Sequence, residues 1–269
     1  MRRKQILSLI LTLALIGGYI GFRYYYNKDD NTAPVITFDS DLITVESSAG
    51  DNELLQGVTA TDQEDGDLTE DILIDSISAF NTENERTITY VVFDDDNKAT
   101  SASRKLKYDD YVEPRFNLTD SLIQSSLTMT KINSLVGATS SVDGVIDTNV
   151  EIKTGTYDDH KMPIDLTVSD STGTESHLSL IYEYDNTNYT TDIVLKKYLI
   201  YVKKGGKAGL TDNVQAVMIG NAENEELLDH VVIRRGDLDY DKPGVYDVYY
   251  SLDDQTNFTA KCKAVVVVQ

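Results

Sequence analysis

Asp62, Glu64, Asp65 and Asp67 stand within one short stretch, and Asp94, Asp95 and Asp96 form a second acidic run. Clustered carboxylates and turn carbonyls are the hard oxygen ligands that calcium takes. If the strands are drawn as below, the two runs fall in loops at one end of a β-sandwich, which makes Asp62, Asp65, Asp67, Asp94 and Asp96 candidate calcium ligands. Their spacing is not that of an EF-hand loop, where ligand positions are fixed. The competing reading makes Asp65-Gly66-Asp67 a solvated turn whose carboxylates satisfy nearby backbone donors. No other cofactor is expected.

Other reactive residue types are dispersed. His160, His177 and His230 lack the close spacing that zinc requires. Cys262, the single cysteine, lies on an apolar stripe with no histidine near it, so a core thiol is expected rather than a nucleophile. No Gly-x-Ser-x-Gly elbow occurs, and Lys203-Lys204-Gly205-Gly206-Lys207 lacks the order of a phosphate loop. These absences point away from an enzyme. A cationic cluster with aromatics, Lys196, Lys197, Tyr198, Tyr201, Lys203 and Lys204, is the candidate binding surface.

The N-terminus supplies the location. Arg2, Arg3 and Lys4 precede an apolar run over residues 6–22, which as a helix covers ~25 Å, near the lower limit for a bilayer. The basic side is expected to stay in the cytoplasm, giving a single-pass cell-membrane protein with the bulk of the chain extracytoplasmic. A cleaved secretory signal is the alternative, although no A-x-A-like site follows and Tyr24, Tyr25 and Tyr26 suit an interfacial belt. Beyond residue 28 the chain carries 19 basic and 45 acidic residues, which excludes a nucleic-acid partner.

The rest of the chain reads as all-β: short alternating runs rich in β-branched residues and tyrosine, broken by Asp, Asn, Gly and Ser. In residues 86–93, Ile88, Tyr90 and Val92 share one face, and Asp94 to Asn97 is the turn of a hairpin. Ile164, Leu166 and Val168 repeat the pattern, as do Phe258, Ala260, Cys262, Ala264, Val266 and Val268. No stretch after residue 30 holds a helical period. Hairpin ends near residues 108, 184 and 268 divide the chain into a tip and anchor (1–28) and modules at 33–110, 113–188 and 189–269. The expectation is three tandem immunoglobulin-like β-sandwiches behind a transmembrane helix, each with its own core. Acidity falls along them: residues 33–112 hold 5 basic and 19 acidic side chains, residues 189–269 hold 10 and 12.

Residues 33–108 resemble the bacterial immunoglobulin-like repeat of Gram-positive surface proteins and some crystal toxins. The resemblance rests on APVITFDSDLITVE, GVTATDQEDGDLTEDI and ITYVVFDDDNKATSASRKLKY, with a Lys-Pro-Gly turn in the third module as DKPGVYDVYYSLDD. The middle module keeps a worn version in VGATSSVDGVIDTNVEI. The resemblance implies an extracellular β-sandwich spacer or adhesive module without catalysis. Joined to the N-terminal span, it leads to the expectation of a non-enzymatic, membrane-anchored cell-surface protein that serves as an adhesive, recognition or spacer stalk. Its partners would be the membrane, through residues 6–22, and an extracellular protein or glycan. The alternative is an accessory subunit of an envelope secretion, pilus or wall-synthesis machine.

Overall fold

The computed structural model describes the backbone of residues 2–26 and 32–269, and within the N-terminal helix the side chains of residues 11–23. Residues 27–31, most of them between the expected anchor and the first module, lie outside the described residues. Two compact units divide the chain, Met1–Asp109 and Asp110–Gln269.

The first unit opens with helix α1 (Arg2–Tyr26). Its described apolar side chains point into solvent on every side, including Leu11, Leu13, Leu15, Ile16, Tyr19, Ile20 and Phe22. No helix among the described residues is long and apolar enough to cross a membrane. Residues 6–10 of the expected span have no described side chains.

Seven strands follow: β1 (Val35–Phe38), β2 (Leu42–Val45), β3 (Val58–Asp62), β4 (Gly66–Asp67), β5 (Leu73–Ile77), β6 (Arg86–Phe93) and β7 (Ala99–Tyr108). They form a sheet β1-β3-β4 and a sheet β2-β7-β6-β5. The second unit repeats this plan twice. Its first copy has β8 (Arg115–Leu118), β9 (Ile123–Gln124), β10 (Val136–Ser140), β11 (Gly144–Val145), β12 (Glu151–Thr154), β13 (Lys161–Ser169) and β14 (Glu175–Tyr184). Its second has β15 (Asp192–Leu195), β16 (Leu199–Val202), β17 (Val214–Ile219), β18 (Ala222–Glu223), β19 (Val231–Arg234), β20 (Gly244–Leu252) and β21 (Lys261–Val268). The sheets are β8-β10-β11 with β9-β14-β13-β12, and β15-β17-β18 with β16-β21-β20-β19. In each copy the second strand runs parallel to the last: β2 to β7, β9 to β14, β16 to β21. These are three similar sheet pairs of immunoglobulin type.

Local chemistry sets the hairpins. Asn97 takes a positive φ of 62° and donates its N–H to Asp94 O at 3.0 Å, closing the turn between β6 and β7. Asn tolerates that conformation better than most side chains. Gly173, at φ 79°, does the same with Asp170 between β13 and β14. Alternation then carries Ile88, Tyr90 and Val92 inward, all fully buried, as it does Ile164, Leu166 and Val168.

Three features depart from the sequence expectations. Short helices interrupt the β plan where no helical period was expected: α2 (Asp51–Leu54) lies between β2 and β3, and α3 (Met129–Leu135) between β9 and β10 of the middle copy. Thr128 caps α3 by accepting from Lys131 N at 3.2 Å, and Ile132 and Leu135 bury its inner face. Second, every residue of β21 after Lys261 is buried, on both faces. Cys262, Ala264 and Val266 line their own sandwich, while Lys263 reaches the carbonyl of Ile181 in the neighbouring copy at 2.7 Å. Third, buried side chains from Phe116 to Val268 form one continuous cluster, so these two sandwiches share a core where separate ones were expected.

A tyrosine locks each connector between the second and third strands of a copy. Tyr90 donates to Leu54 O at 2.7 Å and Tyr250 to Leu210 O at 3.1 Å, while Tyr182 donates to Ser126 O. All three rings are fully buried. Tyr250→Phe keeps the ring but strands a carbonyl, so unfolding should become easier by about 1–3 kcal/mol. Denaturant melts of the two proteins check this.

Candidate functional site

The two acidic runs meet at one pole of the first sandwich. Asp62, at the end of β3, is buried and accepts from Glu64 N at 2.7 Å and Asp65 N at 3.2 Å. Asp65 Oδ2 crosses to the other loop and accepts from Asp95 N at 2.9 Å. Asp94 Oδ1 accepts from Lys98 N at 2.7 Å. Asp67 accepts from Thr69 N at 3.0 Å, and hydrogen bonding from the Thr69 side chain and backbone holds its carboxyl below the usual range. Asp96 is exposed in the β6–β7 turn.

These carboxylates close turns and tie one loop to another. Asp94 Oδ2 is buried without a hydrogen bond, but Lys98 Nζ lies 4.0 Å away and supplies a local positive charge. Among the described residues no three Asp, Glu, His or Cys side chains gather as a metal cage. If these carboxylates serve only to close turns, melting temperatures in millimolar calcium and in chelator should be equal. A rise of several degrees with calcium would instead give the pole an ion.

The second sandwich builds the same joint from different residues. Ser140 takes the place of Asp62, accepting from Val142 N at 3.0 Å and Asp143 N at 3.2 Å. Asp143 takes the place of Asp65 and accepts from Ser171 N at 2.7 Å and Ser171 Oγ at 2.6 Å. Asp170, the counterpart of Asp94, accepts from Ser140 Oγ at 3.0 Å and Tyr111 Oη at 3.1 Å. An acid in one copy is thus replaced by a hydroxyl in the next with the turn preserved, as expected of a structural joint.

The cationic cluster divides. Lys196, Lys197, Lys203 and Lys204 are exposed, with the four-residue strand β16 between the two pairs. Tyr198 is buried and its hydroxyl accepts from Leu195 N at 3.3 Å; burial pushes its pKa up to about 12. It is not available as a surface anchor. Tyr201 is half-buried, accepts from Phe116 N at 3.2 Å and lies under the Arg115 guanidinium at 5.1 Å. Both rings are engaged in packing because β16 lies on β21, the strand covered on both faces.

The histidines stay apart: His177 pairs with Glu175 at 3.0 Å, His230 with Asp253 at 3.1 Å, and His160 stacks on Tyr184. The Cys262 thiol is pushed up to about 12 by burial.

Two features escaped the sequence. The first is a charged seam inside the second unit. Lys263, with no side-chain exposure, contacts Glu183 Oε1 at 2.9 Å and Asp247 Oδ2 at 3.3 Å, and Tyr249 donates to Glu183 Oε1 at 2.6 Å. Burial pushes Glu183 up, but Lys263, Tyr249 and Lys261 outweigh it and its pKa falls. Asp247 ends up raised, because burial there exceeds the pull of Lys263. The unbroken run over residues 264–268 was the available signal, since a strand covered on both faces loses its alternation. The second is a groove of about 890 Å³ on the third sandwich, walled by Tyr189, Arg234, Tyr249, Asp254, Phe258 and Lys261.

No protein family and no curated protein matches the chain. Among solved structures, the second CBM51 domain with GlcNAc and the INT domains of Clostridium perfringens ZmpB is 17% identical at a TM-score of 0.23. That match covers 59% of this chain and 30% of that one. The protocadherin GammaB4 extracellular domain is 13% identical at 0.18, covering 89% and 50%. Mouse clustered PcdhgC3 EC1-3 is 12% identical at 0.19, covering 69% and 76%. The chain thus spans less than a third of the first of these structures. Scores at this level leave the immunoglobulin-type assignment resting on sheet order and register.

Proposed function

We propose that the chain is a non-enzymatic bacterial cell-surface protein: a single-pass anchor near residues 6–22, N-terminus cytoplasmic, holding immunoglobulin-like repeats at 33–110, 113–188 and 189–269 outside the membrane. One observation carries this reading. Helix α1 is apolar and exposed on every side described, whereas a helix built to dock on a sheet shows one apolar stripe. Arg2, Arg3 and Lys4 lie before it against Arg23 and Lys28 just after it, and this excess of cations on the N-terminal side is the bias that orients such a segment.

The third sandwich is the recognition end. It is the least acidic of the three, and its groove combines aromatic rings with Arg234, Asp254 and hydroxyl side chains, a lining suited to an extended glycan or a polar polypeptide. Anchor and groove are tested separately. Full-length protein should sediment with membranes and lose its β units to protease added outside intact cells. Deletion of residues 1–28 should release a soluble β protein. Full-length protein found in the soluble fraction would overturn the anchor. Arg234→Ala with Tyr189→Ala should weaken retention on purified wall glycan, and unchanged retention would remove the groove. If the protein is instead an accessory subunit, replacing residues 6–22 with an unrelated transmembrane helix abolishes function while glycan retention persists.

A further inference from the structure

Three copies of one fold act as controls for one another, and they differ sharply on one outward face. In the first sandwich the outward pair at the β5–β6 edge is Leu73 opposite Val91, with Phe93 two residues further on the same face. Leu73 is 58% exposed and Phe93 48%. The corresponding pair in the second sandwich is Glu151 opposite Thr167, followed by Ser169. In the third it is Val232 opposite Ser251, followed by Asp253. Only the first copy aligns three apolar side chains there, although its surroundings are the most acidic. Glu70, Asp71 and Asp75 flank Leu73, Asp95 and Asp96 follow Phe93, and all five are exposed or half-exposed. The one cation on the adjoining turn, Lys98, lies 4.0 Å from the buried Asp94.

We infer that this face docks a basic polypeptide segment carrying apolar side chains, with Phe93 and Leu73 as the anchors and the surrounding carboxylates as the steering field. Apolar contact supplies affinity at the centre of such a surface, while a ring of like charge selects the partner and speeds its approach. A second copy of this chain is a poor occupant. Residues 33–112 carry 19 acidic against 5 basic side chains, so two such faces repel. The same field keeps anionic lipid and anionic wall polymer away. The inference goes beyond the anchoring proposal and is tested in solution, independently of where the helix resides.

The experiment uses full-length protein in a neutral detergent and a short peptide alternating lysine with phenylalanine and valine, with oligolysine of equal charge as control. Binding is read by fluorescence anisotropy at physiological salt and at higher salt. The peptide should bind more tightly than oligolysine. Leu73→Ser with Phe93→Ser should weaken the peptide by roughly tenfold or more while leaving oligolysine unchanged. Both side chains are exposed, so folding persists, and an unchanged melting temperature verifies it. Asp75→Asn, Asp95→Asn and Asp96→Asn together should lower affinity and flatten its salt dependence. Equal binding of peptide and oligolysine, or a serine double variant that binds as the parent does, would overturn the inference. So would a concentration-dependent dimer abolished by the double variant, since a second copy would then be the occupant.

Discussion

Lys263→Met is expected to destabilise the second unit by about 3–5 kcal/mol, the cost of leaving a buried charge without its partner. The ammonium has no exposure and satisfies Ile181 O, Glu183 and Asp247 at once. Glu183 should dominate the loss, because its side chain is 9% exposed whereas Asp247 at 28% can recover some hydration. For a unit of this size the melting temperature would fall by on the order of 10 °C. Adding Glu183→Gln should restore much of it, because the amide oxygen still accepts from Tyr249 and the only carboxylate left in the seam, Asp247, is the partly hydrated one.

The pH dependence carries a sign. In the parent the pKa of Glu183 is lowered, so its contribution is present above the ordinary Glu value of 4.5 and is lost as pH falls through the depressed folded value. Asp247, raised, acts in the opposite direction: its contribution is present below 3.8 and lost as pH rises through its folded value. Without Lys263, burial is the largest influence on Glu183 and lifts its folded pKa. The variant should therefore gain stability on acidification from neutral pH while the parent does not gain through Glu183. Thermal melts across that range check the reversal, and matching profiles would remove Lys263 from the seam's energetics.

Arg104→Met should be the most damaging change in the first unit, costing about 3 kcal/mol because a charged donor serves several buried acceptors. Arg104 Nη2 donates to Gln56 O at 2.6 Å and Leu54 O at 3.1 Å, and Nε donates to Tyr90 Oη at 3.0 Å. The guanidinium also lies over the rings of Phe38 and Tyr90, at 5.5 and 5.4 Å. The Asp39 ion pair at 3.6 Å adds little, because that carboxylate is 71% exposed. In so small a sandwich the loss corresponds to on the order of 15 °C in melting temperature. Arg104→Lys should recover only a fraction of it, since one ammonium cannot reproduce the forked geometry. A full recovery would show that charge alone mattered.

The contrast between buried charges and buried apolar stripes explains what was legible in the sequence. Period-two alternation exposed the cores around Ile88, Ile164 and Ala264, and Asp94-Asp95-Asp96-Asn97 marked a hairpin, because both signals are local. The meeting of the Asp62 and Asp94 loops followed from strand order. Arg104, Glu183 and Lys263 give no local sign of burial, since a charged residue in a strand is ordinarily solvated. Their burial depends on what approaches from elsewhere in the chain: a carbonyl 48 residues away for Arg104, a neighbouring sandwich for Lys263. The short α3 helix was hidden for a related reason, because two turns leave only Ile132 and Leu135 as a period.

The parallel pairing of the second and last strands in each copy has a mechanical meaning for a chain pulled through its ends. A pull applied through the two ends of a sandwich draws such a pair in opposite directions along their length. The hydrogen bonds joining Leu42–Val45 to Lys105–Tyr108 lie across that pull and are loaded together. Antiparallel strands pulled from the same end would instead unzip, each bond failing in turn. The same clamp recurs over four residues between Leu199–Val202 and Val265–Val268, where the clamped strand is also covered on both faces. Force on the chain therefore meets shear-loaded clamps in series, with those of the second unit backed by a shared core that must open with them.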